Sequence, residues 1–297
     1  MDFFHKAMVA VANTGPDAEL LQYARMVRRI GPGDTVFEFV HVLPPANGIE
    51  GRAAPTHREA LHLLRSNVET HFGESADGSC HVLTGPRVDK LLEFAAESRT
   101  DVMLVGHRRG RSGRRSLSRR LAMKAPCSLW MVPEGSPLKI SRVLAAVDFS
   151  APSAHALSLA TLLAKRAGLT ECFAVHVQEP TAVSPDQIVA EDGRRAFEQF
   201  LAPLDLHDVE IRQRLEQSGS VSSAILRVAG DEGGDLLVMG TRGRSASAAV
   251  LLGSESEQTI VETNLPVLVT KHRGERIGLL QVLLDRDFQL KTEPRFG

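Results

Sequence analysis

The residues best able to do chemistry lie in one glycine-rich stretch. Gly240 is followed by Gly243 after two intervening residues, Gly253 follows after nine more intervening residues, and Ser254 is next. Glycines at such places permit sharp turns and let backbone N–H groups come close to a ligand. If Ser254 opens a helix, the unpaired amides and partial positive charge of that helix end suit phosphate oxygens. Each glycine alone would be an ordinary turn residue, but together they predict a phosphate-binding site.

Side chains beside this stretch add capping and charge. Ser254 and Glu257 form an S-x-x-E pattern, which is typical of a capping box with the serine at the N-cap. Arg242 and Arg244 place positive charge next to the loop. These features favour an anionic ligand, provided that a buried strand ends at Gly240.

The elements that must position this loop are revealed by an internal repeat. Three apolar segments recur, namely AMVAVANT with LAAVDFS, FEFVHVLPP with CFAVHVQEP, and DVMLVG with DLLVMG. The paired residues Val11 and Val147, His41 and His176, and Asp101 and Asp235 are 136, 135 and 134 positions apart. Such a long and uniform offset indicates a duplicated domain. The Pro/Gly/Ser-containing PEGSPLK is typical of a linker, so we predict domains at 1–138 and 139–273 and a C-terminal extension at 274–297.

Within each copy, short apolar runs alternate with helical patterns. The predicted strands are 6–11, 35–42, 79–83, 101–106 and 128–132 in the first copy, and 142–147, 171–177, 209–215, 235–240 and 266–270 in the second. The predicted helices of the second copy are 151–167, 185–202, 220–231 and 254–263. Strands that are apolar throughout are typical of parallel sheets covered on both faces. We therefore predict an α/β protein with two tandem doubly wound, Rossmann-like domains, each with a five-stranded parallel sheet. Residues 277–288 could form a short amphipathic helix.

Composition argues against several classes of protein. The net charge is −1 and aromatic residues make up 5% of the chain, which argues against nucleic acid as a partner. The cysteines are three, widely spaced and without metal-ligand spacing, which favours a reducing cytoplasm over a disulfide framework. No signal peptide and no run of about 20 apolar residues for a membrane span is predicted. His41 and His176 have no metal-ligating neighbours at suitable spacing, so both are interpreted as structural.

The motifs resemble one known family. The spacing G-x2-G-x9-G-[ST] is similar to the nucleotide signature of ATP-binding universal stress proteins. VDFS at 147–150, VHV at 175–177 and LPVLVT at 265–270 are similar to strand motifs of that family. The resemblance covers both halves, about 1–273, and implies a tandem member with the adenine-nucleotide α-hydrolase-like fold. It implies that the second domain binds ATP, together with Mg²⁺.

The resemblance also implies roles for individual residues. Asp148 would contact the nucleotide, since a carboxylate there can accept bonds from ribose hydroxyls or reach a phosphate-bound Mg²⁺. Ala146 and the backbone of Val177 would border the adenine. The ribose and phosphates would be lined by the loop and the helix start: Gly240, Arg242, Gly243, Arg244, Gly253, Ser254 and Ser256. No catalytic residue and no protein metal site are expected.

The first copy departs from this pattern. Ala12 stands where the second copy has Asp148, and the segment after Gly106 is shorter and lacks a Gly-Ser pair. We expect this half not to bind nucleotide. Its arginine run is interpreted either as a solvated loop or as an anion-binding patch for a polyphosphate, an acidic protein or nucleic acid: Arg108, Arg109, Arg111, Arg114, Arg115, Arg119 and Arg120.

The leading functional hypothesis is an ATP-binding regulatory protein of the stress response. ATP would order the 241–253 loop and change the surface offered to a partner. No residue stands as a general base for phosphoryl transfer, so an enzyme is not expected, although slow hydrolysis or self-phosphorylation on Ser245 or Ser247 stays open. The alternative is a nucleotide-free scaffold whose halves pair with each other in the manner of a family homodimer. Two such chains could also associate as a homodimer.

Overall fold

Helices and strands alternate within each of the two repeats. The computed structural model describes residues 3–45, 55–73, 79–107, 117–178, 186–241 and 253–271, apart from the side chains of 186–192. The first repeat contains β1 (Lys6–Ala10), α1 (Asp17–Ile30), β2 (Val36–Leu43), α2 (His57–His71), β3 (Cys80–Thr84), α3 (Arg87–Glu97), β4 (Val102–His107), α4 (Leu117–Lys124) and β5 (Ser128–Pro133). The second contains β6 (Val143–Ala146), α5 (Ala151–Arg166), β7 (Glu171–Gln178), α6 (Asp186–Leu201), β8 (Glu210–Gln217), α7 (Val221–Asp231), β9 (Leu236–Gly240), α8 (Ser254–Glu262) and β10 (Val267–Thr270). The predicted alternation is confirmed, and each predicted element within the described residues lies within two residues of the observed one. The helix predicted at 277–288 lies outside the described residues.

One compact unit is formed by Asp2–Ser141 together with Ile260–Val269. Its strands lie in the order β3-β2-β1-β4-β5-β10. The five strands of the first repeat are parallel, and β1 lies between β2 and β4. This central position is the switch point of a doubly wound sheet, where ligands bind beyond the carboxyl ends of the strands.

The last strand of this unit differs from the prediction of purely parallel sheets. β10 belongs to the second repeat in sequence, yet it pairs antiparallel with β5, placing Val267 opposite Met131, Leu268 opposite Trp130 and Val269 opposite Leu129. All six side chains are buried. Apolar runs specify that a strand is buried but not its direction, so the antiparallel pairing was not predictable from periodicity.

The second compact unit contains Arg142–Thr259. Its central strand β6 is parallel to β9 on one side and to β7 on the other, and β7 is parallel to β8. The order β9-β6-β7-β8 reproduces the arrangement of β4-β1-β2-β3 in the first unit. The carboxyl ends of β6, β7 and β9 therefore lie at one edge of this sheet.

Helix α5 holds that edge in place. Its N-cap, Ser150, accepts a hydrogen bond from Ser153 N–H at 3.3 Å, and Pro152 lies in its first turn, where proline costs no helical bond. Its side chains are buried almost all round, because it packs on β6, β7 and β9. Among the helices described, none combines the length and apolar character that crossing a bilayer requires.

Candidate functional site

Four of the predicted ATP-binding residues meet at the carboxyl edge of the second sheet. Ala146 ends β6 and pairs with Val175 of β7 and Met239 of β9. Val177 is two residues beyond Val175, and Gly240 directly follows Met239. Asp148 lies in the turn between β6 and α5. The sheet therefore brings these residues together, whereas the predicted residues Arg242, Gly243 and Arg244 lie outside the described residues.

The carboxylate of Asp148 is oriented by the turn that begins α5. Its Oδ1 accepts hydrogen bonds from Ser150 N–H at 3.1 Å and from Ser150 Oγ at 2.5 Å. Its own N–H donates to Ser153 Oγ at 3.3 Å. The side chain is half-buried. These bonds fix a negatively charged group beside the N-terminus of a helix.

Between these residues, Phe149 has a left-handed backbone with φ of 63°. This conformation is uncommon for a bulky residue and persists only where the surroundings impose it. Here the buried Phe149 ring lies 4.1 Å from the His176 ring and 5.1 Å from the Phe197 ring, measured between centroids. The aromatic cluster thus holds the turn that carries Asp148.

The two repeat-related histidines have structural bonds. His176 Nδ1 lies 2.8 Å from the carbonyl oxygen of Val147, and His41 Nδ1 lies 2.9 Å from that of Val11. Both rings are buried, and burial lowers the pKa of His41 because it disfavours the charged imidazolium. Each ring ties the end of one strand to the next strand. In the described part of the chain, no group of three or more His, Cys, Asp or Glu side chains could hold a metal ion.

Gly240 is required by a close backbone approach. A Cβ built on Gly240 would lie 3.1 Å from the carbonyl carbon of Pro152 and 3.2 Å from its oxygen, which is tighter than ordinary contact. The equivalent Gly106 in the first repeat would place its Cβ only against Leu20 Cδ2, at 3.8 Å. The end of β9 therefore lies against the first turn of α5, and a side chain at Gly240 would require one of the two to shift.

The base of the loop after β9 is closed by two hydrogen bonds. Gly253 N–H donates to the carbonyl oxygen of Thr241 at 2.8 Å, and Ser256 Oγ donates to the carbonyl oxygen of Gly240 at 3.0 Å. Ser256 is buried. Its hydroxyl therefore holds α8 against the end of β9, a role the sequence did not reveal, because serine in a first helical turn is usually assigned to capping.

Helix α8 begins one residue earlier than a capping box with Ser254 at the N-cap requires. Ser254 is its first residue and is exposed, while the carbonyl of Gly253 accepts from Glu257 N–H at 2.9 Å. Gly253 therefore takes the N-cap position, which corrects the predicted capping box. The N–H groups of Ser254, Glu255 and Ser256 have no hydrogen-bond acceptor in the described part of the chain. Unpaired amides at a helix N-terminus attract anions.

We expect Ser256→Ala to lower the affinity for any ligand that binds at the first turn of α8, because the hydrogen bond from Ser256 to Gly240 fixes that turn. Thr259→Val is the matched control, since Thr259 is buried in the same helix but donates only to the carbonyl of Glu255, at 2.8 Å. Both changes should cost about 1 kcal/mol of stability in urea unfolding. Calorimetric titration with Mg·ATP should separate them. Equal affinities in both variants would contradict this role for Ser256.

The first repeat uses a carboxylate differently in the equivalent turn. Asp17 is buried, and it accepts hydrogen bonds from Ala12 N–H at 3.1 Å and from Thr14 N–H at 2.5 Å. Asn13 has the left-handed φ, 57°, that Phe149 has in the second repeat. Ala12 replaces Asp148 in this turn, and the carboxylate of Asp17 is bonded to backbone N–H groups of the same turn.

Comparison with known proteins agrees with the duplication and the fold. The model of the universal stress protein family matches residues 3–133 and again residues 139–271. A universal stress protein of Thermus aquaticus is 31% identical over an alignment of 141 residues, which covers 43% of this chain and 97% of the relative.

Solved structures of similar length share the architecture. A universal stress protein from Archaeoglobus fulgidus DSM 4304 has a TM-score of 0.61 at 19% identity, covering 91% of this chain and 97% of its own. A protein assigned to the same family from Pseudomonas aeruginosa UCBPP-PA14 has a TM-score of 0.65 at 17% identity, covering 95% and 98%. At these identities the likeness concerns the fold alone. Since the family model matches both halves over nearly their whole length, the chain belongs to the universal stress protein family.

Proposed function

We propose that this protein is an ATP-binding regulatory member of its family and that the second repeat holds one Mg·ATP. The observation that carries the proposal is the set of amides at Ser254, Glu255 and Ser256, which have no acceptor among the residues that the structure describes and lie at the same sheet edge as Asp148. A helix end of this kind suits phosphate oxygens.

The other residues fit a nucleotide by their chemistry. The carboxylate of Asp148 would accept bonds from ribose hydroxyls or contact a phosphate-bound Mg²⁺. Ala146 and Val177 are half-buried at the ends of β6 and β7, where the adenine would lie. Mg²⁺ would neutralise phosphate charge. Gly240 supports the site by admitting the first turn of α5, and Ser256 by holding α8.

We propose that ATP acts as a regulatory ligand rather than as fuel. Its binding would change the surface around the 241–253 segment, and a partner protein would respond to that surface. We also propose that the repeats divide at 138/139, that residues 274–297 are an extension, and that the protein works in the cytoplasm. The free cysteines Cys80, Cys127 and Cys172 support a reducing compartment.

Isothermal titration with Mg·ATP tests the proposal. We expect saturable binding of one nucleotide per chain, and a loss of at least about tenfold in affinity for Asp148→Ala, because a charge-assisted bond is removed. Asp208→Ala is the control, since Asp208 is an exposed carboxylate of the same unit that pairs with Lys165. Mass spectrometry of small molecules released on denaturation should detect adenine nucleotide. No heat with the intact protein and no released nucleotide would favour the scaffold alternative.

A further inference from the structure

One carboxylate joins the N-termini of two helices at the carboxyl edge of the second sheet. Helix α7 follows β8 and helix α8 follows β9, so both helices begin on the side where these parallel strands end. The carboxylate belongs to Glu255, in the first turn of α8. Its Oε2 accepts a hydrogen bond from Ser222 N–H, in the first turn of α7, at 3.2 Å. This bond holds the carboxylate between the two helix ends.

The Glu255 carboxylate supplies a negative charge that the first turn of α7 lacks. Helix α7 has no acidic residue in that turn, and its N-cap Ser220 makes no side-chain hydrogen bond to the helix backbone. The first helical bond runs from Ala224 N–H to the carbonyl oxygen of Ser220 at 3.1 Å, so the amides before Ala224 have no helical acceptor. A carboxylate is favourable at such a helix end, because the end carries partial positive charge.

The first repeat places its acidic residue differently. Helix α3 is the counterpart of α7, both have 11 residues, and α3 has Asp89 in its own first turn. The pattern S-x-S lies at the start of the last helix in each repeat, at 116–118 and 254–256, and it places Leu117 where the second repeat has Glu255. An acidic residue within α7 would therefore have been enough to compensate its N-terminus. The second repeat instead has this residue on the helix that we propose to bind phosphate.

Glu255 thus places a negative charge beside the proposed phosphate-binding amides. Its own N–H is one of the three amides, at Ser254, Glu255 and Ser256, that have no acceptor among the described residues. Side chains of a helix tilt toward its N-terminus, so the carboxylate lies on the same side as these amides. A phosphate group bound there would be repelled by the carboxylate, because like charges at short range raise the free energy of the complex.

The other acidic residue in the first turn of α8 does not share this position. Glu257 comes two residues after Glu255, which is more than half a helical turn away. Its N–H is bonded to the carbonyl oxygen of Gly253 at 2.9 Å. Glu255, by contrast, faces α7, because it bonds Ser222. The two carboxylates of this turn are therefore distinguishable by substitution.

We propose that Glu255 determines the form in which the nucleotide binds and makes Mg²⁺ necessary for binding. Its carboxylate repels phosphate groups whose charge is not offset, and Mg²⁺ cancels much of the negative charge of ATP. Ser222 is the positioning residue, because its backbone N–H holds the carboxylate in place. This inference rests on the proposed function and concerns the specificity of that same site.

Isothermal titration of the full chain with ATP, once with excess Mg²⁺ and once with EDTA, tests this assignment. The wild-type chain should bind Mg·ATP more tightly than free ATP. Glu255→Gln keeps an acceptor for Ser222 N–H but removes the charge. Free ATP should therefore bind at least about tenfold more tightly to this variant than to the wild type, while the affinity for Mg·ATP should change by less than about threefold.

Two further substitutions on α8 are the controls. Glu262→Gln makes the same change at an exposed residue in the last turn of the helix and should leave both affinities unchanged. Glu257→Gln should strengthen the binding of free ATP less than Glu255→Gln does. An equal effect of Glu257→Gln and Glu255→Gln would overturn the assignment to Glu255.

Glu255→Ala separates the charge from the hydrogen bond. It removes both, so it should strengthen the binding of free ATP as Glu255→Gln does and also lower the urea midpoint of unfolding. If Glu255→Ala changed nucleotide binding and Glu255→Gln did not, Glu255 would be merely structural and the proposal would be overturned. The same ratio of the two affinities in the wild type and in Glu255→Gln would overturn it too, and both results would leave the proposed function intact. A wild-type chain that binds neither form of ATP would overturn the proposed function together with this inference.

Discussion

Gly240→Ala is expected to destabilise the protein by about 1–3 kcal/mol and to remove most of its affinity for Mg·ATP. The added methyl group would lie 3.1 Å from the carbonyl carbon of Pro152, so either the end of β9 or the first turn of α5 must shift. That turn carries the bonds from Ser150 to Asp148, and the Gly240 carbonyl accepts the bond from Ser256. A shift therefore disturbs both sides of the proposed nucleotide site. Urea unfolding and calorimetric titration measure the two effects.

The repeat supplies a matched control for this substitution. Gly106 is in the corresponding position of the first repeat, and a Cβ there would meet only Leu20 Cδ2 at an ordinary 3.8 Å. Gly106→Ala should change stability by less than about 0.5 kcal/mol and leave the ATP affinity unaltered. Equal effects of the two changes would show that the approach of α5 to β9 is not what requires glycine.

Asp17→Ala is expected to have the largest effect on stability alone, about 2–4 kcal/mol. The buried carboxylate accepts from Ala12 N–H and Thr14 N–H, and removing it leaves both amides without an acceptor in a buried turn. Asp17→Asn should lose less, because the amide oxygen still accepts. The free energy of unfolding in urea measures the loss.

The control for Asp17 is Asp34→Ala, because Asp34 is exposed between α1 and β2 and should contribute less than about 0.5 kcal/mol. ATP affinity should stay unchanged in the folded Asp17 variants, because the proposed nucleotide site lies in the second repeat. A loss for Asp17→Ala no greater than that for Asp34→Ala would contradict the structural role assigned to this carboxylate.

These two predictions concern the same difference between the repeats. In the first repeat, the carboxylate of the strand–helix turn comes from the helix residue Asp17 and is bonded to backbone amides. In the second, Asp148 comes directly after the strand and is half-buried at the sheet edge, while Ser153 takes the place of Asp17 and accepts the bond from Asp148 N–H. The positions of the carboxylate and the hydroxyl therefore differ between the two turns. In one turn the carboxylate is bonded to backbone N–H groups, and in the other it is half-buried at the sheet edge. This asymmetry supports the proposal that each chain holds one nucleotide.

The sequence alone determined the duplication, the order of helices and strands, and the edge at which Asp148 and Gly240 meet. Periodic burial is a local property, because strands and helices expose their side chains at fixed intervals. For the same reason the bounds of β6, α5 and β9 were predicted within one residue.

Only the tertiary structure decided which contacts form between distant residues. The direction of β10 against β5, the approach of Pro152 to Gly240, and the bond from Ser222 to Glu255 each depend on how packed elements meet. The two glycines Gly106 and Gly240 are equivalent in sequence, yet only Gly240 is crowded, because its neighbour across space differs. Local sequence patterns contain no information about that neighbour, because the close packing of one residue depends on the positions of all the elements around it.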